Sequence, residues 1–275
     1  MDEKQKIQFL IELIDDENEQ SASLAMAELL KSPRQDLVKS HLCDLQEAEN
    51  IRLRRRIHQL QTAISLRTVR EELGKAIRND AISLLQGAFH LHMLWFDTDD
   101  TEKLWSQWQE LCAALLKHYP GNLTDIAKFM QEQKFRPVLH TDTLAPEQYC
   151  IGCALEKNPA SALLLSIIAQ GVTAQTGAGL RIIRSGFKIG VADIRGEIML
   201  PLEDWRVISM EEKLESGMPW HYVSDSAALH TLTVNLFQCA TVADSFRYMY
   251  TLGTVLAISA GKENLDFLPY PYHIK

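Results

Sequence analysis

Asn158-Pro159-Ala160-Ser161-Ala162-Leu163-Leu164-Leu165-Ser166-Ile167-Ile168-Ala169 is the stretch on which the fold turns. It predicts a helix that is apolar on every side, opened by Asn158-Pro159 and stopped by Gly177 and Gly179, and such a helix belongs inside a protein. Three short runs follow: Leu180-Arg181-Ile182-Ile183, Phe187-Lys188-Ile189-Gly190-Val191 and Glu197-Ile198-Met199-Leu200. They alternate, and Gly186 and Gly196 separate them, so they predict a small antiparallel meander.

Outward from this centre the chain is helical in both directions. Ile7, Leu10, Ile11 and Ile14 form a stripe at helical spacing, Asp15-Asp16-Glu17-Asn18 interrupts it, and Ala22 to Leu30, Leu37 to Leu45 and Ile51 to Ile64 complete a set of short hairpins. Their spacing resembles HEAT-type hairpins. Further helices are expected at Ala81–Phe96, Glu102–His118 and Leu123–Gln133, with Asp100 or Thr101 as a cap for the second. Phe135 to Ala145 reads as a loop. Beyond Ala227, Leu229, Leu232 and Leu236 and then Phe246, Met249, Leu252, Val255 and Leu256 predict an antiparallel pair, and Leu268-Pro269-Tyr270-Pro271-Tyr272-His273 an extended tail. The fold class expected is α+β and predominantly helical. Three regions are expected: helical hairpins over 1–66, a lead-in and core over 67–216, and a helical pair with its tail over 217–275.

A formal net charge of −8 in 275 residues argues against a nucleic-acid binder, which needs a basic face. Arg52, Arg54, Arg55 and Arg56 alternate with Ile51, Leu53 and Ile57 and read as the solvated side of a helix. No apolar run reaches the ~20 residues that span a bilayer, and Met1-Asp2-Glu3-Lys4-Gln5-Lys6 is not a secretory leader. Five cysteines among apolar neighbours suit a reducing compartment, so a cytoplasmic location is expected.

Candidate chemistry is sparse. Cys150-Ile151-Gly152-Cys153 has the spacing of half a zinc site, with His140 as the one nearby further ligand, and reads as buried thiols in the helix before the core helix. His90 and His92 point about 200° apart on a helix and cannot share an ion. Asp97, Asp99 and Asp100 lack the spacing of a calcium loop and read as a capping turn. Gly177-Ala178-Gly179 follows a helix, whereas phosphate cradles follow a strand. Ser161 has no local base, Ser166 is mid-helix, and Trp95, Trp105 and Trp108 have core spacing.

The order of helix, proline-initiated apolar helix and antiparallel strands over Tyr149–Ser209 resembles the bacterial family with a transglutaminase-like (papain-type) core, often joined to a tetratricopeptide-like tail. His230-Thr231-Leu232-Thr233-Val234-Asn235-Leu236 and Asp244-Ser245-Phe246 are similar to its closing hairpin. The resemblance implies a cysteine at the start of the core helix, where the helix dipole favours a thiolate, then a histidine and a carboxylate on the next two strands. Here those places fall on Asn158-Pro159-Ala160-Ser161, on Phe187 within Ser185-Gly186-Phe187-Lys188, and on Leu200 within Leu200-Pro201-Leu202. The implied protein is therefore a pseudoenzyme. It has no catalytic, cofactor-binding or metal-ligating residue, needs no cofactor, and serves as an interaction or scaffold protein for another protein. The alternative is a cysteine hydrolase or transferase with relocated residues, Cys150 or Cys153 beside His140 or His221. In the first reading Phe187 and Leu200 close over the start of the core helix as packing.

Overall fold

The computed structural model describes residues 2–45, 49–118, 122–138, 144–174, 176–215, 217 and 219–262. It divides into two units, Met1–Arg70 and Glu71–Lys275. The chain is mostly helical, with one small antiparallel sheet of five strands.

The first unit holds α1 (Glu3–Ile14), α2 (Glu19–Lys31), α3 (Gln35–Asp44) and most of α4 (Ile51–Arg78). The predicted stripe is its core: Ile7, Ile11 and Ile14 meet Leu29, Val38, Leu42, Ile57 and Leu60. Asn18 caps α2 by accepting hydrogen bonds from the amides of Gln20 and Ser21. One of the four arginines departs from the expected solvated face. Arg56 is buried, donating from Nη1 to the carbonyls of Ile14 at 2.7 Å and Asp16 at 2.8 Å and pairing with Glu19 at 3.2 Å. It satisfies carbonyls that the end of α1 leaves without partners in the helix. Arg54 and Arg55 remain exposed.

The second unit takes the end of α4 and continues with α5 (Leu84–Trp95), α6 (Thr101–His118), α7 (Leu123–Glu132), α8 (Ile151–Leu155), α9 (Ala162–Val172), β1 (Arg181–Ser185), β2 (Lys188–Ala192), β3 (Ile198–Leu200), β4 (Arg206–Ile208), α10 (Met210–Glu215), β5 (His221–Tyr222), α11 (Asp225–Val242) and α12 (Phe246–Ser259). The core helix is α9, buried along almost its whole length. It starts three residues later than Asn158-Pro159 suggests. Lys157 turns the chain with φ of 71°, Ala160 exchanges backbone hydrogen bonds with Arg136 and Val138, and Ser161 is the cap whose Oγ accepts from the Leu164 amide at 3.3 Å. Proline therefore restricts the approach segment rather than the first turn of the helix.

The sheet runs β4-β3-β2-β1-β5. Its centre is the predicted meander, and two strands too short to show periodicity, β4 and β5, extend its edges. The register places Ile182, Val191 and Met199 on the face toward α9. On the opposite face Ile183, Ala192, Ile198 and Leu200 form a separate cluster with Ile208 and Trp220. Leu229, Leu232 and Leu236 of α11 and Leu252, Val255 and Leu256 of α12 share one core with α5 and α9. Leu73 and Ile77 at the end of α4 join it, and Gly74 gives α12 room, since a Cβ there would lie 2.8 Å from that of Ile258. The extended tail expected at Leu268–His273 lies outside the described residues.

Candidate functional site

The place to look for chemistry is the start of α9 against the sheet. The residues at the three triad positions do not meet there. Ser161 caps α9, while Phe187 is 96% exposed. The pairing of Ser185 with Lys188 leaves a two-residue turn in which Gly186 has φ of 56°, so Phe187 is held beyond the end of the sheet. Leu200 is buried, but on the face turned away from α9, because its register partner is Arg206 and it stands two residues from Ile198 on that face. The expected apolar closure by Phe187 and Leu200 is thus corrected: strand parity puts one outside the sheet and the other behind it.

Between α9, the β1–β5 edge and the start of α11 there is instead an open crevice of about 400 Å³. Leu163, Ile182, Ile189, Val223, Ala227 and Ala228 give it apolar walls, and Tyr222 contributes at the strand edge. Its other polar side chains are Arg184, Ser224 and Thr231. Neither hydroxyl has a base beside it: Ser224 Oγ accepts from the Ala227 amide at 3.2 Å, and Thr231 Oγ1 donates to the Ala227 carbonyl at 2.8 Å. Arg184 donates from Nε to the Gly186 carbonyl at 2.8 Å. The lining contains no thiol, imidazole or carboxylate.

The thiols lie elsewhere. Cys150 is the cap of α8 rather than part of the helix, and Cys153 is in its first turn. Both are free thiols, as are Cys43, Cys112 and Cys239. Cys150 is completely buried, and burial pushes its pKa well above the ordinary thiol value, helped by the neighbouring Cys153 and Cys239. Burial also raises Cys153 to about 11 and Cys239 to about 12, with Glu147 adding to each. Such groups are thiols at neutral pH, and thiols are poor nucleophiles. Of the two histidines proposed beside them, His140 lies outside the described residues, and His221 sits on β5 in register with Arg184. Among the described residues no hydrogen bond joins a thiol to an imidazole, and no group of three or more His, Cys, Asp and Glu could hold a metal ion.

A pair with no signal in the sequence joins buried His92 to exposed Asp99. His92 on α5 is fully buried, and its Nε2 lies 3.0 Å from Asp99 Oδ2. Burial lowers its pKa against the opposing pull of Asp99, so the ring is neutral. The carboxylate acceptor then assigns the proton to Nε2 and leaves Nδ1 buried without a partner. The ring edge lies against Gly152 of α8. Seven residues separate the pair in sequence, and only the bend of the chain at Phe96 brings them together. The rest of the acidic loop is also engaged: Asp100 Oδ1 accepts from the Glu102 amide at 2.9 Å and caps α6, and Asp97 pairs with Arg247.

Trp95 and Trp108 are buried as their spacing suggests, Trp95 stacked on Tyr248 at 4.2 Å and Trp108 edge-on to Phe89 at 6.1 Å, whereas Trp105, expected in the core with them, is exposed and stacks on Phe89 at 4.6 Å. Gly177 and Gly179, with φ of 75° and 60°, turn the chain between α9 and β1. Among the described residues no helix is long and apolar enough to cross a membrane. No protein family, curated protein or solved structure was found to match the chain.

Proposed function

We propose that the chain is a non-catalytic interaction or scaffold protein, in which residues 67–216 hold a transglutaminase-like core that has lost its triad. The observation that carries this reading is the crevice at the start of α9, whose lining has no thiol, imidazole or carboxylate and whose Ser224 and Thr231 hydroxyls have no base beside them. The order of α8, α9 and an antiparallel sheet packed on one side of α9 is compatible with such a core. An exposed apolar patch supports an interaction role. Val242 is 68% exposed at the end of α11, and Phe246 (77%) and Tyr250 (46%) stack on each other along α12. Exposed groups of this kind mark contact surfaces more often than isolated apolar residues do.

Two measurements on the full chain test the reading. Purified protein should release no nitrophenol from a nitrophenyl ester or anilide above the buffer rate. A partner captured from native extract should be lost when Val242, Phe246 and Tyr250 are all changed to serine, with the melting temperature unchanged. Turnover abolished by Cys153→Ser would favour the cysteine hydrolase instead.

A further inference from the structure

We infer that the crevice beside α9 binds a small amphiphile, an apolar chain or ring system carrying one anionic head, and that Arg184 receives the head. The inference rests on the reading of this crevice as non-catalytic. At about 400 Å³ the space falls within the range of sites for small organic ligands. A single side chain inserted from a partner would leave most of it empty, so a free small molecule fits better than one anchoring residue.

The walls specify the rest. Leu163 comes from the first turn of α9, Ile182 and Ile189 from facing strands, and Ala227 and Ala228 from α11. The small alanines are what leaves the space open. At the rim, Arg184 and Ile189 are register partners on the face turned toward α9, so the guanidinium rises beside the apolar floor. The bond from Nε to the Gly186 carbonyl steadies the fork. Its two Nη groups have no carboxylate partner among the described residues, in a protein whose net charge is −8. An arginine with a free, oriented fork matches a carboxylate or a phosphate by two parallel hydrogen bonds. Nothing in the lining repels an anion or demands a cation.

Titration calorimetry on the full-length protein with decanoate, decyl phosphate and decanol tests the assignment. Decanoate or decyl phosphate should bind with one site per chain, the tighter of the two identifying the head, and decanol should bind at least about tenfold more weakly. Arg184→Gln should weaken the preferred anion by about tenfold or more and leave decanol unchanged, whereas Arg184→Lys should lose less. Arg184 is exposed, so an unaltered melting temperature checks that its variants fold. Ala227→Trp, which fills the crevice from α11, should abolish binding of all three. Equal affinity for decanol and the anions, indifference to Arg184→Gln, or no binding by any probe would overturn the inference. Hydrolysis of nitrophenyl decanoate would overturn only the non-catalytic reading, since decanoate binding is measured separately.

Discussion

A methyl group added at Gly152 would lie 2.5 Å from Cε1 and 2.6 Å from Nε2 of His92, and 2.9 Å from Cδ2 of Leu104. Helix propensity alone favours Gly152→Ala, by about 1 kcal/mol inside a helix. Packing opposes it. The imidazole is fully buried and tied to Asp99, so it cannot withdraw without straining or giving up that hydrogen bond. Forcing a methyl group into a filled interior costs about 1–3 kcal/mol. Losing a hydrogen bond to a charged acceptor adds about 1.5 kcal/mol, the lower end of the usual range because Asp99 is partly in water. After the gain in propensity, the substitution should destabilise by about 1.5–3.5 kcal/mol. All five tryptophans lie beyond Arg70, so urea denaturation followed by tryptophan fluorescence reads the second unit alone. The same substitution made after His92→Ala, which removes the ring, should cost almost nothing. An unchanged or raised midpoint for Gly152→Ala in the native background would refute the close approach of α8 to the imidazole.

Three further outcomes follow from the same structure. The pKa of His92 is lowered in the fold from 6.5, so its contribution is complete above pH 6.5 and is lost as pH falls toward the folded value, where the unfolded chain binds the extra proton; the urea midpoint should therefore drop from pH 7.5 to pH 5, and His92→Gln should flatten that part of the slope. Replacing Arg56 by methionine strips the carbonyls of Ile14 and Asp16 of their donors and should cost about 2–3 kcal/mol, visible as faster amide exchange in α1 and α2, whereas Arg55→Met should change little. Of the thiols, exposed Cys43 should alkylate quickly at neutral pH, half-buried Cys153 slowly, and Cys112, Cys150 and Cys239 only on unfolding, as mass spectrometry of labelled peptides would establish; fast native labelling of Cys150 would contradict its burial.

What the sequence determined by itself is whatever depends on neighbours along the chain. Apolar spacing located α1, α2, α5, α6, α7, α11 and α12, because a helix hydrogen-bonds within itself and buries one stripe. The unbroken apolar run marked α9 as the central helix, and Gly186 and Gly196 marked the turns of the meander. Tertiary structure alone decided the rest, because it depends on pairings between distant residues. The register of β1 with β2 put Phe187 in solvent and left a crevice at the start of α9, and the parity of β3 turned Leu200 to the far face. Open sheet edges recruited β4 and β5, whose few residues carry too weak a pattern to be recognised alone. Arg56 looked like its exposed neighbours Arg54 and Arg55 until the end of α1 supplied carbonyls for it. His92 found Asp99 only when the chain doubled back past Phe96, and the place opposite its ring suits a residue without a side chain, because the buried imidazole and the Leu104 side chain already occupy the space that a Cβ would need.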